Sequence, residues 1–196
     1  MAKRKKRKRN KTKQILFMKK LLGISLIFIS FSSFSQLFVA KAGETGFYSE
    51  APLENIAALN KQVTAAIKVE TGDVAVKMQM NQFQFPNKLM QEHFNENYME
   101  SSKYPIGTFT GKIQEQIDFT KNGVYNITAK GIFTIHGVKQ DRTILGKLTV
   151  KGTSLTLVSN FDVKLVDHKI DIPKIVFAKI AEVIAVKNTF VFEMQK

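Results

Sequence analysis

The chain has 196 residues and no cysteine, which excludes disulfides and leaves an apolar core as its source of stability. Its net charge of +14 alone would indicate nucleic acid or an anionic membrane as a partner, but residues 1–35 hold eleven of the thirty Lys and Arg and none of the sixteen acids. From Gln36 onward nineteen basic residues face sixteen acidic ones, a net +3, so we predict no nucleic-acid partner.

Residues 1–17 form a basic extension set apart from the domain. Nine of the first thirteen residues, MAKRKKRKRNKTK, are Lys or Arg. Met18 and the two lysines that follow it could by themselves form the start of a signal peptide. We interpret 1–17 as a disordered, solvated tail or the product of a misassigned start codon. A nucleic-acid-binding arm, a membrane-surface role and an uncleaved anchor with its charges on the cytoplasmic side are the alternatives.

Residues 18–35 are typical of a secretory signal peptide. Two lysines precede an apolar run of eleven residues, Leu21–Phe31, and a serine-rich exit follows it. A membrane-spanning helix needs roughly 20 apolar residues, so this run is too short. We predict cleavage between Ser35 and Gln36, a periplasmic or secreted protein, and no stable membrane insertion after cleavage.

The sequence predicts few strand residues in the first part of the mature chain. We expect Gln36–Gly46 to be a weakly ordered lead-in and 45–49 to be a short first strand. Pro52 stands where a first helical residue would, and the apolar spacing in LENIAALN predicts a short helix over 53–60.

The chain then changes to the alternation typical of strands. AIKVETGDVAVKMQM predicts two strands around a turn at 71–73. The apolar parity changes between Met80 and Phe83, which predicts a strand end or a β-bulge near 81–82. The segment NKLMQEHFNENYMESSKYP predicts a helix with Asn87 as its N-cap.

The remaining residues are mostly strand. Alternation from 109 to 119 predicts one strand, and turns are predicted at Asn122-Gly123, His136-Gly137 and 151–153. A partly helical crossover opened by Pro173 precedes the last strand. About eight long amphipathic strands without a βαβ rhythm predict a mainly β fold: an eight-stranded antiparallel β-barrel with short helices between strands, since closure removes exposed edges.

A phenylalanine-rich face is predicted to point into this barrel. Eight strands enclose an interior that side chains can fill or that can hold one small apolar ligand, and the sequence leaves both possibilities open. The candidate ligand-binding residues are Phe83, Phe85, Phe109, Ile113, Ile117, Phe133, Leu148, Phe161, Phe190 and Phe192.

Catalytic and metal-binding motifs are not evident in the sequence. The histidines at 93, 136 and 168 lack zinc-ligand spacing, and there is no GxSxG, P-loop or GxGxxG motif. The acids at 92, 96 and 100 share one helix face, which we expect to be solvated. We therefore predict no enzyme, metal or cofactor. For His136 we favour a ring that bonds a nearby group and fixes the turn over one that contacts a ligand head group.

Two segments resemble a known family. LMQEHFNENYMESSKYPIGTFTGKI (89–113) combines a helix bearing His93 with the pair Tyr104-Pro105, and GIFTIHGVKQDRTILGKLTVKG (131–152) ends a strand in Thr-x-His-Gly-Val. Both are similar to the YceI-like family, the polyisoprenoid-binding or lipocalin-like YceI domain, and the resemblance extends over roughly 46–194.

The resemblance implies an exported, lipocalin-like barrel over 46–196 whose long apolar channel holds an isoprenoid or other long-chain amphiphile. We therefore predict a binding or carrier protein. A fully filled barrel that acts without a ligand, as a structural or stress-response interaction protein, is the alternative. A weak hydrolytic or lipid-modifying site at the barrel mouth, near His93 or His136, is a third hypothesis, and a homodimer is left open.

Overall fold

The structure is a computed structural model that describes residues 36–172 and 180–195. The predictions for the basic extension and the signal peptide concern residues 1–35 and lie outside the described residues. The same holds for most of the crossover that follows residue 172. In the described part of the chain, no helix combines the length and the apolar character needed to cross a bilayer.

The predicted eight-stranded antiparallel barrel is confirmed. Each strand pairs with the next along the chain, and the last pairs with the first, which closes the sheet. The strands are β1 (Leu37–Glu50), β2 (Asn55–Lys68), β3 (Asp73–Gln79), β4 (Ile106–Ile113), β5 (Gly123–Ile135), β6 (Val138–Lys151), β7 (Ser154–Lys164) and β8 (Val183–Gln195). Closure pairs every strand on both sides and leaves no sheet edge to aggregate.

The short helices lie in two connections. The β3–β4 connection contains a 3₁₀ turn (Met80–Gln82), helix α1 (Lys88–His93) and a π-helical turn (Phe94–Tyr98), and the β7–β8 connection contains a 3₁₀ turn (Leu165–His168). The predicted cap at Asn87 is confirmed, because its side chain accepts a hydrogen bond of 2.9 Å from the backbone N–H of Leu89.

Two predictions for the start of the domain are wrong. All but the first residue of the expected lead-in over 36–46 belongs to β1, so the barrel begins at Leu37. The helix expected over 53–60 is the start of β2, where Ile56 pairs with Ser49 across a hairpin. Leu53, one of the apolar residues whose spacing predicted this helix, is 71% exposed. Pairing with β1 overrides the weak local helical spacing.

A β-bulge in each of these two strands interrupts its alternation of buried and exposed residues. The buried residues of β1 have even numbers through Ala40 and odd numbers from Gly43. The buried residues of β2 make the same change after Asn60. The register shifts at these points. The Asn60 side chain holds the β2 bulge, because it accepts a bond from the Gln62 N–H (2.8 Å) and donates one to the Gln79 carbonyl (2.9 Å).

Two of the predicted reversals are confirmed, whereas Asn122-Gly123 lies at the end of a longer loop. Those at His136-Gly137 and at Gly152 are confirmed, and all three residues have positive φ (51°, 71° and 58°). The strand expected to run to 119 is shorter, since β4 ends at Ile113 and residues 114–122 form a loop. Phe119 in that loop is buried, with its ring centroid 6.2 Å from that of Phe38.

The two ends of the barrel interior differ. At the end where β1 starts, which we call the filled end, large side chains occupy the interior and the Phe119 loop covers it. Its most deeply buried apolar residues are Phe38, Ile67, Leu148, Val150, Leu155 and Phe192, each at most 2% exposed. The opposite end, where the helical connections leave the barrel, is hollow, and we call it the open end.

Candidate functional site: a cavity in the open end of the barrel

A cavity of about 420 Å³ lies in the open end. Its walls come from β1, β2, β3, β5, β7 and β8, and α1 with the π-helical turn contributes on the side of the helical connections. The lining is predominantly aliphatic and aromatic, and the volume falls in the range of about 300–1,000 Å³ that is usual for small-molecule pockets.

Four phenylalanine rings join the helical connection to the barrel wall at this cavity. Phe94, in the π-helical turn, lies 5.0–5.6 Å by ring centroid from Phe85, Phe83 and Phe47, and Phe47 on β1 also contacts the other two. Most of these pairs are tilted or edge-to-face, the arrangement that aromatic rings prefer. The cluster therefore holds the π-helical turn against the cavity and supplies part of its apolar surface.

Polar groups are concentrated where the cavity meets solvent. Among its lining residues, Asn87, Leu89 and His93 are exposed, which places the mouth beside α1, and Glu54 is half-buried. Carboxylate, amide and imidazole groups thus surround an entrance that leads to an apolar interior. This distribution suits an amphiphile whose head stays at the mouth.

A much smaller cavity of about 50 Å³ lies deeper in the barrel, and Met78 lines both cavities. Three buried polar residues on adjacent strands lie side by side on the inner wall at this level. The Thr45 hydroxyl donates to Asn188 Oδ1 (2.7 Å), and Asn188 Nδ2 donates to Ser159 Oγ (3.1 Å). Asn188 is the direct register partner of the other two, so we call Thr45, Asn188 and Ser159 the polar rung.

The ten candidate ligand-binding residues fall into different environments. Those that line the large cavity are Phe83, Phe85 and Phe133. Those that line the small cavity are Phe109 and Phe190. Those that line neither are Ile113, Ile117, Leu148, Phe161 and Phe192. Of these, Ile113, Leu148 and Phe192 are buried in the filled half, Ile117 packs on the core from the 114–122 loop, and Phe161 is edge-to-face with Phe133 at 5.6 Å.

Several lining residues were absent from the sequence-based set. The sequence did contain a signal for Phe94, because its spacing from Met90 places both side chains on one helix face. In the structure both line the cavity. Phe47 lay in the strand expected at 45–49. Thr45 and Ser49 gave no such signal, since buried polar side chains in a strand look like its solvent face.

His136 has the structural role predicted for it. Its Nε2 lies 2.8 Å from Oε2 of Glu100, and its Nδ1 lies 3.0 Å from the carbonyl oxygen of His168. The ring also lies edge-to-face with Tyr104 at 4.6 Å. These contacts join the β5–β6 turn to the β3–β4 and β7–β8 connections. Within the described ranges, no three His, Asp or Glu side chains form a group that could hold a metal ion.

A closed antiparallel barrel with an apolar cavity at one end defines the class of lipocalin-like β-barrels. The chain belongs to the YceI-like domain family, whose pattern matches residues 35–192. This confirms the family that segments 89–113 and 131–152 indicated. No curated protein matches the chain significantly.

Solved structures share the fold at low sequence identity. A polyisoprenoid binding domain from Saccharophagus degradans, described as implicated in plant cell wall breakdown, superposes with a TM-score of 0.69 at 11% identity, covering 82% of this chain and 99% of that one. BcnA from Burkholderia cenocepacia gives 0.63 at 16% identity, with 76% and 95% covered. The Campylobacter jejuni YCEI protein gives 0.55 at 20% identity, with 70% and 83% covered.

Proposed function

We propose that this chain is an exported binding protein that holds an isoprenoid or other long-chain amphiphile in the large cavity. The observation that carries the proposal is an apolar cavity of about 420 Å³ with polar residues at its mouth. Membership of the YceI-like family supports it, as does the fold shared with a domain described as polyisoprenoid-binding. Phe83, Phe85 and Phe133 are the candidate contacts that line this cavity.

The energetics of such binding come from apolar burial. At about 25 cal/mol per Å², a chain that loses several hundred Å² of contact with water gains several kcal/mol. Part of this gain offsets the lost freedom of the ligand on association. An aromatic and aliphatic wall that is largely formed in advance keeps the remaining cost low.

The signal-peptide pattern at 18–35 supports export, and we place the mature protein in the periplasm or outside the cell. The role we infer is binding rather than catalysis. His136, a candidate for the third hypothesis, has both ring nitrogens in contact with structural partners, and the cavity itself supports binding.

A fully filled barrel was the alternative for this chain. Only one end of the interior fits that description, because Leu148 and Phe192 there are fully buried, whereas the open end encloses a cavity. A purely structural role would not need this space, and the cavity therefore favours the binding hypothesis.

The test is extraction of the full chain, expressed from its complete coding sequence, with organic solvent and mass spectrometry of the extract. We expect a long-chain apolar molecule in stoichiometric amount. The variant Val163→Trp places an indole in the cavity, since Val163 is buried and lines it, and should lose the molecule. The matched control Val191→Trp, on an outward position that is 56% exposed, should retain it. Repeatedly clean extracts of the unmodified protein would contradict the proposal.

A further inference from the structure

The boundary between the two cavities has a rigid wall and a yielding one. Met78 on β3 lines both cavities, whereas Thr45 lines the large cavity and Asn188 and Ser159 line the small one. In a closed ring of eight strands, β3 stands opposite β7, which carries Ser159. The polar rung and Met78 therefore approach the interior from opposing sides at the depth where the large cavity ends.

The polar rung is the rigid wall. Its three side chains are at most 7% exposed, and each is hydrogen-bonded to a neighbour in the rung. Rotation of any one would leave a buried donor or acceptor without its partner, and each such group costs about 1–3 kcal/mol. A ligand that displaced the polar rung would therefore incur this free-energy cost.

Met78 is the yielding wall. An unbranched thioether side chain has several rotamers of similar energy and adapts to its surroundings. Gly107 on β4 makes room for it, because a β-carbon there would lie 3.0 Å from Met78 Cγ and 3.0 Å from Met80 Sδ. Movement of the Met78 side chain would join the large cavity to the small one.

We infer, on the basis of the proposed function, that Met78 and the polar rung set the length of the chain that this protein binds. At about 30 Å³ per water-sized group, a cavity of about 420 Å³ holds roughly fourteen methylene-sized groups. The cavity therefore accommodates a hydrocarbon chain of about fourteen carbons with its polar head at the mouth. A longer chain must displace Met78, and the small cavity of about 50 Å³ then admits about two more carbons.

The test measures the affinity of the full chain for straight-chain alcohols of about eight to about twenty carbons, a range that brackets the estimate. Burial of one more methylene should tighten binding about four-fold until about fourteen carbons, where the gain should stop. In Met78→Ala the limit should move to chains at least two carbons longer.

A second substitution separates the role of the small cavity from a general loosening. Ala129 is buried and lines only the small cavity, so Ala129→Val fills that space. Alone it should leave the length limit unchanged. Combined with Met78→Ala it should bring the limit back toward that of the unmodified protein.

The outcomes distinguish this inference from the proposed function. Affinity that keeps rising to about twenty carbons in the unmodified protein, or a limit that Ala129→Val shortens by itself, would overturn the length limit while leaving lipid binding intact. Absence of binding at every length would contradict the proposed function, and the inference with it.

Discussion

The carboxylate of Glu100 lies 2.8 Å from Nε2 of His136, and both residues have left-handed backbones, with φ of 43° and 51°. Non-glycine residues adopt this conformation at a cost, so surrounding contacts must compensate for it. The contact between the two side chains joins the connection that carries α1 to the β5–β6 turn. It therefore stabilises the base of the segment that borders the cavity mouth.

Removal of this contact should destabilise the barrel. We expect Glu100→Ala to lower the free energy of unfolding by about 1–3 kcal/mol, because the His136 ring, whose side chain is 10% exposed, loses a partner. Glu92→Ala, at an exposed position of α1, is the matched control and should change stability by less than about 0.5 kcal/mol. Urea denaturation measures both, and equal losses would show that the contact has no special role.

Stability should also fall in mild acid because of His168. Its side chain is fully buried, and burial lowers its pKa, against the opposing effect of the Val138 carbonyl 3.3 Å from Nδ1. With the folded pKa below the unfolded value of about 6.5, the unfolded chain binds more protons as pH falls through that value. The free energy of unfolding should therefore decrease below about pH 6.5 and stop decreasing below the folded pKa.

Urea denaturation between about pH 8 and about pH 5 measures this slope. We expect His168→Gln to reduce the slope, whatever its effect on overall stability. His93→Gln, at an exposed position, is the control and should leave the slope in place. A slope that His168→Gln does not change would assign the pH dependence to other groups.

The polar rung should be costly to break even though it lies in an apolar interior. Asn188→Ala removes the acceptor of the Thr45 hydroxyl and the donor to Ser159, and we expect a loss of about 2–4 kcal/mol in the free energy of unfolding. Asn160→Ala, an exposed position on the neighbouring strand, should cost less than about 0.5 kcal/mol. Thermal denaturation compares the two, and a small loss for Asn188→Ala would mean that the rung adds little to stability.

Gly43 should tolerate no side chain, because the ring of Phe190 occupies the space where its β-carbon would lie. We expect Gly43→Ala to destabilise the fold by about 1–3 kcal/mol through overpacking. Gly46→Ala is the matched control, since a β-carbon there would meet its neighbours at an ordinary 3.5 Å. Adding Phe190→Leu should recover part of the loss, and failure to do so would point to a cause other than this contact.

How much the sequence could predict depended on whether a residue's environment follows from local pattern. Regular alternation in β5 to β8 and the glycines at tight turns were sufficient for the barrel, because closure and register follow from strand number and face. The pattern failed in β1 and β2, where bulges near Lys41 and Lys61 reverse the buried face and an unbroken strand looks like two short elements.

The division of the interior was beyond the sequence for a different reason. Phe133 and Phe192 are both apolar, both buried and both on inward positions, yet one lines the cavity and the other fills the barrel. What separates them is depth along the barrel axis, which depends on strand stagger and on loops such as the one that carries Phe119. The polar rung could not be predicted either, because Asn188 is separated along the chain by 143 residues from Thr45 and by 29 residues from Ser159.

The Phe119 loop has a kinetic consequence for a protein built in this way. Because its ring and the side chains beneath it close one extremity, a bound molecule of the kind proposed would have to leave through the same opening by which it entered. A cavity of about 420 Å³ holds one such chain at a time, so replacement would be sequential. The rate of exchange should then depend on the dissociation rate of the bound molecule and be insensitive to the concentration of the incoming one.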